Sequence, residues 1–118
     1  MNVIGNGTAM QAMEYALRGL EDRRQVISNN VANAQTPGFI ASEIDFEGAL
    51  ARALERGDAS DPGTPSATRT TDQVGINGNN VRLEKELTEM IRTNLMSDML
   101  INTYNSKLER LRSAIGAR

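Results

Sequence analysis

Apolar side chains recur at alternating spacings of three and four residues near the start of this chain. This spacing places side chains along one side of an α-helix, as in the heptad seam of a coiled coil. We therefore predict a helix from about Thr8 to Ala34, with Thr8 as its N-cap and Arg24 as a polar member of the seam. The seam consists of Met10, Met13, Leu17, Leu20, Arg24, Ile27, Val31 and Ala34.

A second series with the same spacing predicts another long helix near the end of the chain, from Asn80 as N-cap to about Ala117. Its seam consists of Leu83, Leu87, Met90, Asn94, Ser97, Ile101, Tyr104, Leu108, Leu111 and Ile115. Around Asn94 and Ser97 the apolar face widens to include Ile91, Leu95, Met96, Met99 and Leu100. A helix that is apolar on more than one side needs more than one partner, so we expect other subunits to cover part of it.

The first helix ends in an unusual cluster of asparagines, Asn29, Asn30 and Asn33, followed by Thr36-Pro37-Gly38. Proline disfavours helical geometry in the preceding residue, and glycine permits the turn that follows. Asn29 and Asn33 are four residues apart, so they share a face, and that face points away from the seam. Their amides could be simply solvated, or they could form hydrogen bonds between the subunits of a polymer.

The middle of the chain has no sustained period, apart from a short amphipathic helix predicted near residues 45–55. The stretch from Gly57 to Asn80 is rich in Gly, Pro, Ser, Thr and Asp, so we expect a mobile loop. The chain thus divides into residues 1–36, a helix with its stop motif, residues 37–79, a loop with a short helix, and residues 80–118, a second helix.

The composition of the 118 residues excludes several functions. There is no Cys and no His, so thiol chemistry and the commonest acid–base and metal-binding side chain are missing. The formal net charge is -2, without the basic stripe of a nucleic-acid-binding protein. No apolar run approaches the roughly 18 residues of a membrane span, and no cleaved signal peptide is expected at the start. We therefore predict no catalytic, cofactor or metal site, no nucleic-acid partner and no direct lipid binding.

Two segments resemble the axial rod and hook family of the bacterial flagellum. Ile27 to Phe39 is similar to the family's Ala-Asn-x-x-Thr-Pro-Gly-aromatic segment, and Asn77 to Glu86 resembles the entry into its second helix. The resemblance implies an all-α fold in which the terminal helices pair as an antiparallel coiled coil. It also implies a structural subunit of the proximal rod, the drive shaft that transmits motor torque. A sister subunit of that rod and a helical secretion chaperone are the alternatives, and an enzyme is disfavoured.

The implied partners are further copies of the chain, other rod proteins, the base of the rod at the junction of MS-ring and export gate, and the flagellar type III export apparatus. The implied place is the periplasmic part of the basal body, reached by export of the unfolded chain. We expect the subunit interface to include Asn29, Asn30, Asn33, Thr36, Pro37, Gly38, Phe39, Asn94, Met96, Met99 and Leu100.

Relatives in this family present a Phe-x-x-x-apolar element to the export gate, and Phe46 with Leu50 fits that spacing. The resemblance therefore implies an export signal at Phe46 and Leu50. A purely structural alternative is that these side chains, four residues apart on the short helix, pack against the long helices.

Overall fold

The computed structural model describes residues 3–116, with side chains from Gly7 onward. Two long helices, α1 (Val3–Ala32) and α3 (Leu83–Gly116), form an elongated body of 67 × 26 × 14 Å. Between them lie strand β1 (Ser42–Ile44), helix α2 (Glu47–Glu55) and strand β2 (Ala67–Arg69). The protein is mainly helical, as predicted, and α2 confirms the short helix of the middle segment.

The long helices run antiparallel, because partners on α1 and α3 follow each other in opposite order. Near the start of α1 the Tyr104 hydroxyl donates to Glu14 at 3.2 Å, and further along Arg24 Nε donates to Asn94 Oδ1 at 3.0 Å. The packing establishes an antiparallel helix pair; it does not establish a coiled coil.

Both predicted N-caps are wrong. Helix α1 begins at Val3, so Thr8 lies inside the helix, where its backbone N–H has a helical partner. Helix α3 begins at Leu83, three residues after Asn80. The Asn80 side chain does not cap α3, because it forms hydrogen bonds with Ala41, Thr70 and Asp72 instead.

The predicted seam of α1 is largely confirmed. Met13, Leu20 and Ile27 are buried, and Arg24 is half-buried between the helices. Val31 is exposed, because Asn30 takes the inward position at that level.

Helix α3 buries a different stripe from the one predicted. The stripe that faces the rest of the chain is shifted by one residue at alternate positions, so that Leu87, Ile101 and Leu111 remain exposed. Its fully buried members, Glu86, Thr93 and Ser97, are polar, while many of the large apolar side chains of α3 point outward. The buried or half-buried stripe consists of Glu86, Met90, Thr93, Ser97, Leu100 and Tyr104.

The fold also contains a short antiparallel ladder that the all-α prediction lacks. Strand β1 pairs with β2 in the register Ser42↔Arg69, Glu43↔Thr68 and Ile44↔Ala67. The Tyr15 hydroxyl donates to the Gly63 carbonyl at 2.7 Å, which fixes the loop before β2 against α1. The segment predicted to be a mobile loop therefore has defined contacts, while its mobility remains a prediction.

The core lies where α1, the β1–α2 connection and α3 meet. It is formed by Tyr15, Ala16, Leu20, Ile44 and Phe46, with Met96 and Leu100 packed against it from α3. The two ends of the helix pair lie beyond this core.

Candidate subunit interface

The two segments that carry the family resemblance are in direct contact with each other. Helix α1 ends at Ala32, and its last carbonyl groups need hydrogen-bond donors. The N–H groups of Asn33 and Ala34 supply some of them by bonding to the carbonyls of Asn29, Asn30 and Val31. The Asn79 amide holds the turn that follows α1, since its Nδ2 donates to the carbonyls of Asn33 and Thr36, both at 2.8 Å. We call this contact between residues 29–42 and 77–80 the asparagine junction.

Two glycines allow the backbones of the junction to meet. Gly38 and Gly78 have positive φ angles of 74° and 79°, which residues with a Cβ adopt only with strain. A Cβ on Gly78 would lie 3.3 Å from Gly38 Cα. The Gly38 N–H donates to the Asn77 carbonyl at 2.8 Å, so this close approach forms a hydrogen bond.

Asn80 connects three further segments and is 3% exposed. Its Oδ1 accepts a 2.6 Å hydrogen bond from the N–H of Ala41. Its Nδ2 donates to Thr70 Oγ1 at 3.0 Å and to the Asp72 carbonyl at 3.1 Å. One side chain therefore connects the residue before β1 and the segment after β2 to the segment that leads into α3.

Asn30 completes the junction from α1. Its side chain accepts from the Ser42 N–H at 3.0 Å and donates to the Ser42 carbonyl at 2.8 Å, in the manner of a strand partner. At 1% exposure, Asn30 has no surface to offer a neighbouring subunit in this conformation. The same amide faces Glu86 on α3, where burial raises the pKa of the carboxyl group and the hydrogen bond from Asn30 opposes that effect.

The other stop-segment residues of the predicted interface lie at or near the surface. Asn29, Thr36, Pro37 and Gly38 are exposed, and Phe39 is half-buried. Asn33 is half-buried and locally bonded. Its Nδ2 donates to the Asn29 carbonyl at 2.8 Å, and its Oδ1 accepts from Thr36 Oγ1 at 3.1 Å. The structure brings these residues together as the outer face of the junction.

Phe46 is buried at 2% exposure, although it stands in a mostly polar stretch of sequence. Its ring lies on α1 at Gly19, where an added Cβ would be 2.4 Å from Phe46 Cγ. The Tyr15 ring meets it edge-on, with centroids 6.4 Å apart. The structural alternative, that Phe46 packs against a long helix, is therefore confirmed in the folded chain. The export signal at Phe46 and Leu50 stays a prediction.

Arg23 on α1 also holds Phe46 and the connection between β1 and α2 in place. Its guanidinium lies 4.7 Å from the centre of the Phe46 ring and donates to the Ile44 carbonyl at 2.7 Å. It also forms a two-pronged ion pair with Glu47 at 2.6 and 2.9 Å. The hydrogen bond to Glu47 is the main reason why the pKa of Arg23 is raised.

The predicted interface residues on α3 border an open apolar groove between α2 and α3. Met96 and Leu100 are half-buried beside Phe46 and Leu50, and Met99 projects from the rim. Asn94 is exposed, and its Oδ1 is occupied by Arg24. The groove therefore unites Met96, Met99 and Leu100, while Asn94 belongs to the contact with α1.

A row of large apolar side chains lies on the outer face of α3. Its members are spaced four residues apart and are each between 51% and 67% exposed. Side chains at this spacing form one continuous ridge along a helix. We call this the α3 ridge: Leu83, Leu87, Ile91, Leu95 and Met99.

Several residues that organise this region were not singled out as functional from the sequence: Gly19, Arg23, Asn79 and Glu86. A signal for Asn79 was present, since Asn77-Gly78-Asn79-Asn80 pairs turn residues with amides. Its partner could not be found because hydrogen bonds to backbone carbonyls leave no trace in sequence. None of the helices in residues 3–116 is long and apolar enough to cross a membrane.

Comparisons with known proteins match the part of the chain that forms α1 and the turn after it. The family described as "Flagella basal body rod protein" matches residues 8–39, which cover most of α1 and the stop segment. The chain is 28% identical to the flagellar basal body rod protein FlgB of Yersinia enterocolitica, over 91% of this chain and 93% of that protein. It is 28% identical to FlgB of Bacillus subtilis, over 90% and 92% of the two chains. It is 31% identical to FlgB of Aeromonas hydrophila, over 86% and 88%. The chain therefore belongs to the FlgB family of flagellar basal body rod proteins.

Proposed function

We propose that this rod subunit polymerises with its own copies and with other rod proteins into the proximal rod, the shaft that transmits torque. The α3 ridge carries the proposal. Contiguous exposed apolar side chains on a soluble chain mark a surface that another protein covers. Each would contribute on the order of 25 cal/mol per Å² of apolar area removed from water.

The total surface of the chain supports this assignment. Its accessible area is 7895 Å². A compact monomer of 12.9 kDa would expose about 6,300 Å². The excess is of the size that stable protein–protein contacts bury. An elongated subunit with this much uncovered surface is suited to a polymer.

The asparagine junction gives such a subunit a fixed shape. Its hydrogen bonds join the end of α1 to the beginning of α3, so the angle between the helices does not depend on a flexible hinge. A shaft that transmits torque needs subunits that resist twisting. We propose that neighbouring helices cover the exposed seam members Leu87 and Ile101, which extends the helix pair into a coiled coil on assembly.

The outer face of the junction is the proposed lateral contact. Asn29, Thr36, Pro37 and Gly38 are exposed there and present polar and backbone groups to a neighbour. Asn33 would join through its partly exposed amide. Asn30 is not part of this surface, since its side chain is occupied by Ser42.

A polymerisation assay with a matched control tests the role of the ridge. Replacing Leu87 and Leu95 by Ser removes two exposed apolar side chains and should change the free energy of unfolding by no more than about 1 kcal/mol. Assembly, followed by sedimentation and electron microscopy, should fall at least tenfold, and complementation of motility should fail. The control is the double variant Glu84→Gln with Thr88→Ser, exposed on the same helix.

Two results would contradict the proposal. Normal motility with the ridge variant would remove the ridge from the interface. A wild-type chain that stays monomeric and binds another unfolded flagellar protein would favour the secretion chaperone instead.

We further propose that the chain works in the periplasmic part of the basal body, on the rod base beside the MS-ring and export gate, and arrives unfolded through the type III apparatus. Phe46 is buried in the folded chain, so the export gate could read Phe46 and Leu50 only before folding. The variant Phe46→Ala, scored separately for secretion and for assembly, tests the signal. Cytoplasmic retention of soluble protein supports it, and normal secretion with failed assembly leaves only the packing role.

A further inference from the structure

Glu86 is a buried carboxyl group in the first turn of α3, at the junction end of the contact between the long helices. It is 6% exposed and belongs to the α3 stripe that faces α1. Beside it lies a cavity of about 250 Å³ between α1, β1 and α3. On the α1 side Glu86 faces Asn30, whose amide also binds both backbone groups of Ser42. The carboxyl group is therefore one side chain away from strand β1.

The charged groups around this cavity leave Glu86 without a cation of its own. Three cations face the cavity or its rim, and each forms its ion pair with a different carboxylate. These pairs are Arg23–Glu47 at 2.6 Å, Lys85–Asp72 at 2.5 Å and Arg92–Glu89 at 3.0 Å. Glu43 on β1 adds a further carboxylate to the lining. A charged Glu86 thus lies in a region where the negative charges outnumber the positive ones.

Protonation of Glu86 therefore favours the folded chain. Burial is the main cause that raises its pKa above the ordinary 4.5, with Glu89 and Asp72 adding to the effect and Asn30 and Lys85 opposing it. A carboxyl group with a raised folded-state pKa contributes fully to stability below its unfolded value. That contribution is lost as the pH rises through the folded-state pKa.

We propose that Glu86 is a proton-operated latch of the asparagine junction: its protonation closes the packing of α1, β1 and α3, and its ionisation loosens that packing. Asn30 transmits the change, because it contacts Glu86 and Ser42 with the same amide. Loosening at Ser42 releases β1, and with it Phe46 loses its support from Ile44. If the chain is exported unfolded, as proposed above, the latch makes it easier to open at neutral pH than in an acidic exterior.

Thermal unfolding followed by circular dichroism between pH 4.5 and 7.5 tests the latch. The wild type is compared with Glu86→Gln, which is neutral at every pH, and with Glu84→Gln, an exposed control on the same helix. Between pH 4.5 and 7.5 the Tm of the wild type should fall by roughly 3–6 °C more than that of Glu86→Gln. Glu84→Gln should follow the wild type. The assay needs no export, so its failure would leave the proposed function intact.

Hydrogen exchange at the Ser42 amide provides a local measurement, because that N–H donates to Asn30. Its protection should fall with rising pH in the wild type and stay constant in Glu86→Gln, after correction for intrinsic exchange. Parallel profiles of wild type and Glu86→Gln would overturn the proposal. A Glu86→Gln chain with less helix than the wild type at pH 7.5 would also overturn it, because the charged form would then be the one that supports the fold.

Discussion

The α3 ridge begins beside the asparagine junction and runs along α3 to Met99, near the core. Both regions depart from the usual rule that polar groups are exposed and apolar groups are buried. At the junction Asn30, Asn79 and Asn80 are polar and yet buried, and their amides bind backbone groups of the same chain. The ridge is apolar and yet exposed, since more than half of each of its residues remains accessible to solvent. The two surfaces therefore serve different purposes. Polar groups at the junction hold the subunit in one conformation, and apolar groups on the ridge are left for contacts with neighbouring subunits.

The physical basis of this division is the directionality of the two interactions. A buried amide contributes stability only when each of its donors and acceptors meets a partner at the right angle, which a preformed intrachain turn provides. An apolar side chain is stabilised by any surface that excludes water from it. It therefore needs no preformed partner, and assembly can bring the neighbouring subunit that covers it. A rod subunit needs both, since its shape must be fixed before its contacts are made.

Asn80→Ala, at the asparagine junction, should cause the largest loss of stability. It removes three hydrogen bonds and leaves the Ala41 N–H and the Asp72 carbonyl without their partner. We expect a loss of about 2–3 kcal/mol in the free energy of unfolding, measured with urea. Asn105→Ala, exposed on α3, is the control and should stay within about 0.5 kcal/mol. A loss as small as that of the control would mean that the junction does not stabilise the chain.

A pair of glycine substitutions in α1 should give effects of opposite sign. Gly19→Ala drives a Cβ into the Phe46 ring, and we expect a net loss of about 1–2 kcal/mol despite the better helix propensity of alanine. Gly7→Ala meets nothing within 4 Å, so it should gain up to about 1 kcal/mol. Thermal unfolding of both variants is the measurement. Stabilisation by both would show that Phe46 can leave α1 at little cost.

The smallest expected effect on stability comes from replacing Asn29 and Asn33 together by Ala. The lost local hydrogen bonds at the end of α1 are partly offset by the better helix propensity of alanine at position 29, which lies inside α1, so the free energy of unfolding should change by less than about 1 kcal/mol. Rod assembly and motility should nevertheless be impaired, because the exposed amides repeat in every subunit. Normal motility would assign the lateral contact to other residues and leave the ridge as the main interface.

The sequence alone was sufficient for the long helices, the stop after α1 and the short helix α2. Periodicity places residues around a helix axis, and Pro37 with Gly38 ends helical geometry locally, so none of these features depends on a distant segment. The resemblance of two short segments to the flagellar rod family was equally local, and the comparisons confirm it. Met13, Leu20 and Ile27 were predicted as buried because one strong seam dominates α1.

Only the tertiary structure determined how these elements pack together and which side chains form hydrogen bonds between them. Helix α3 has apolar side chains on several faces, so periodicity could not select the stripe of Glu86, Thr93 and Ser97 that packs within the chain. An asparagine amide can bind any carbonyl or N–H within reach, so the partners of Asn30, Asn79 and Asn80 depend on which backbone the fold brings near. The three-residue strands are stabilised by pairing across more than twenty residues of chain, a contact that no local pattern encodes.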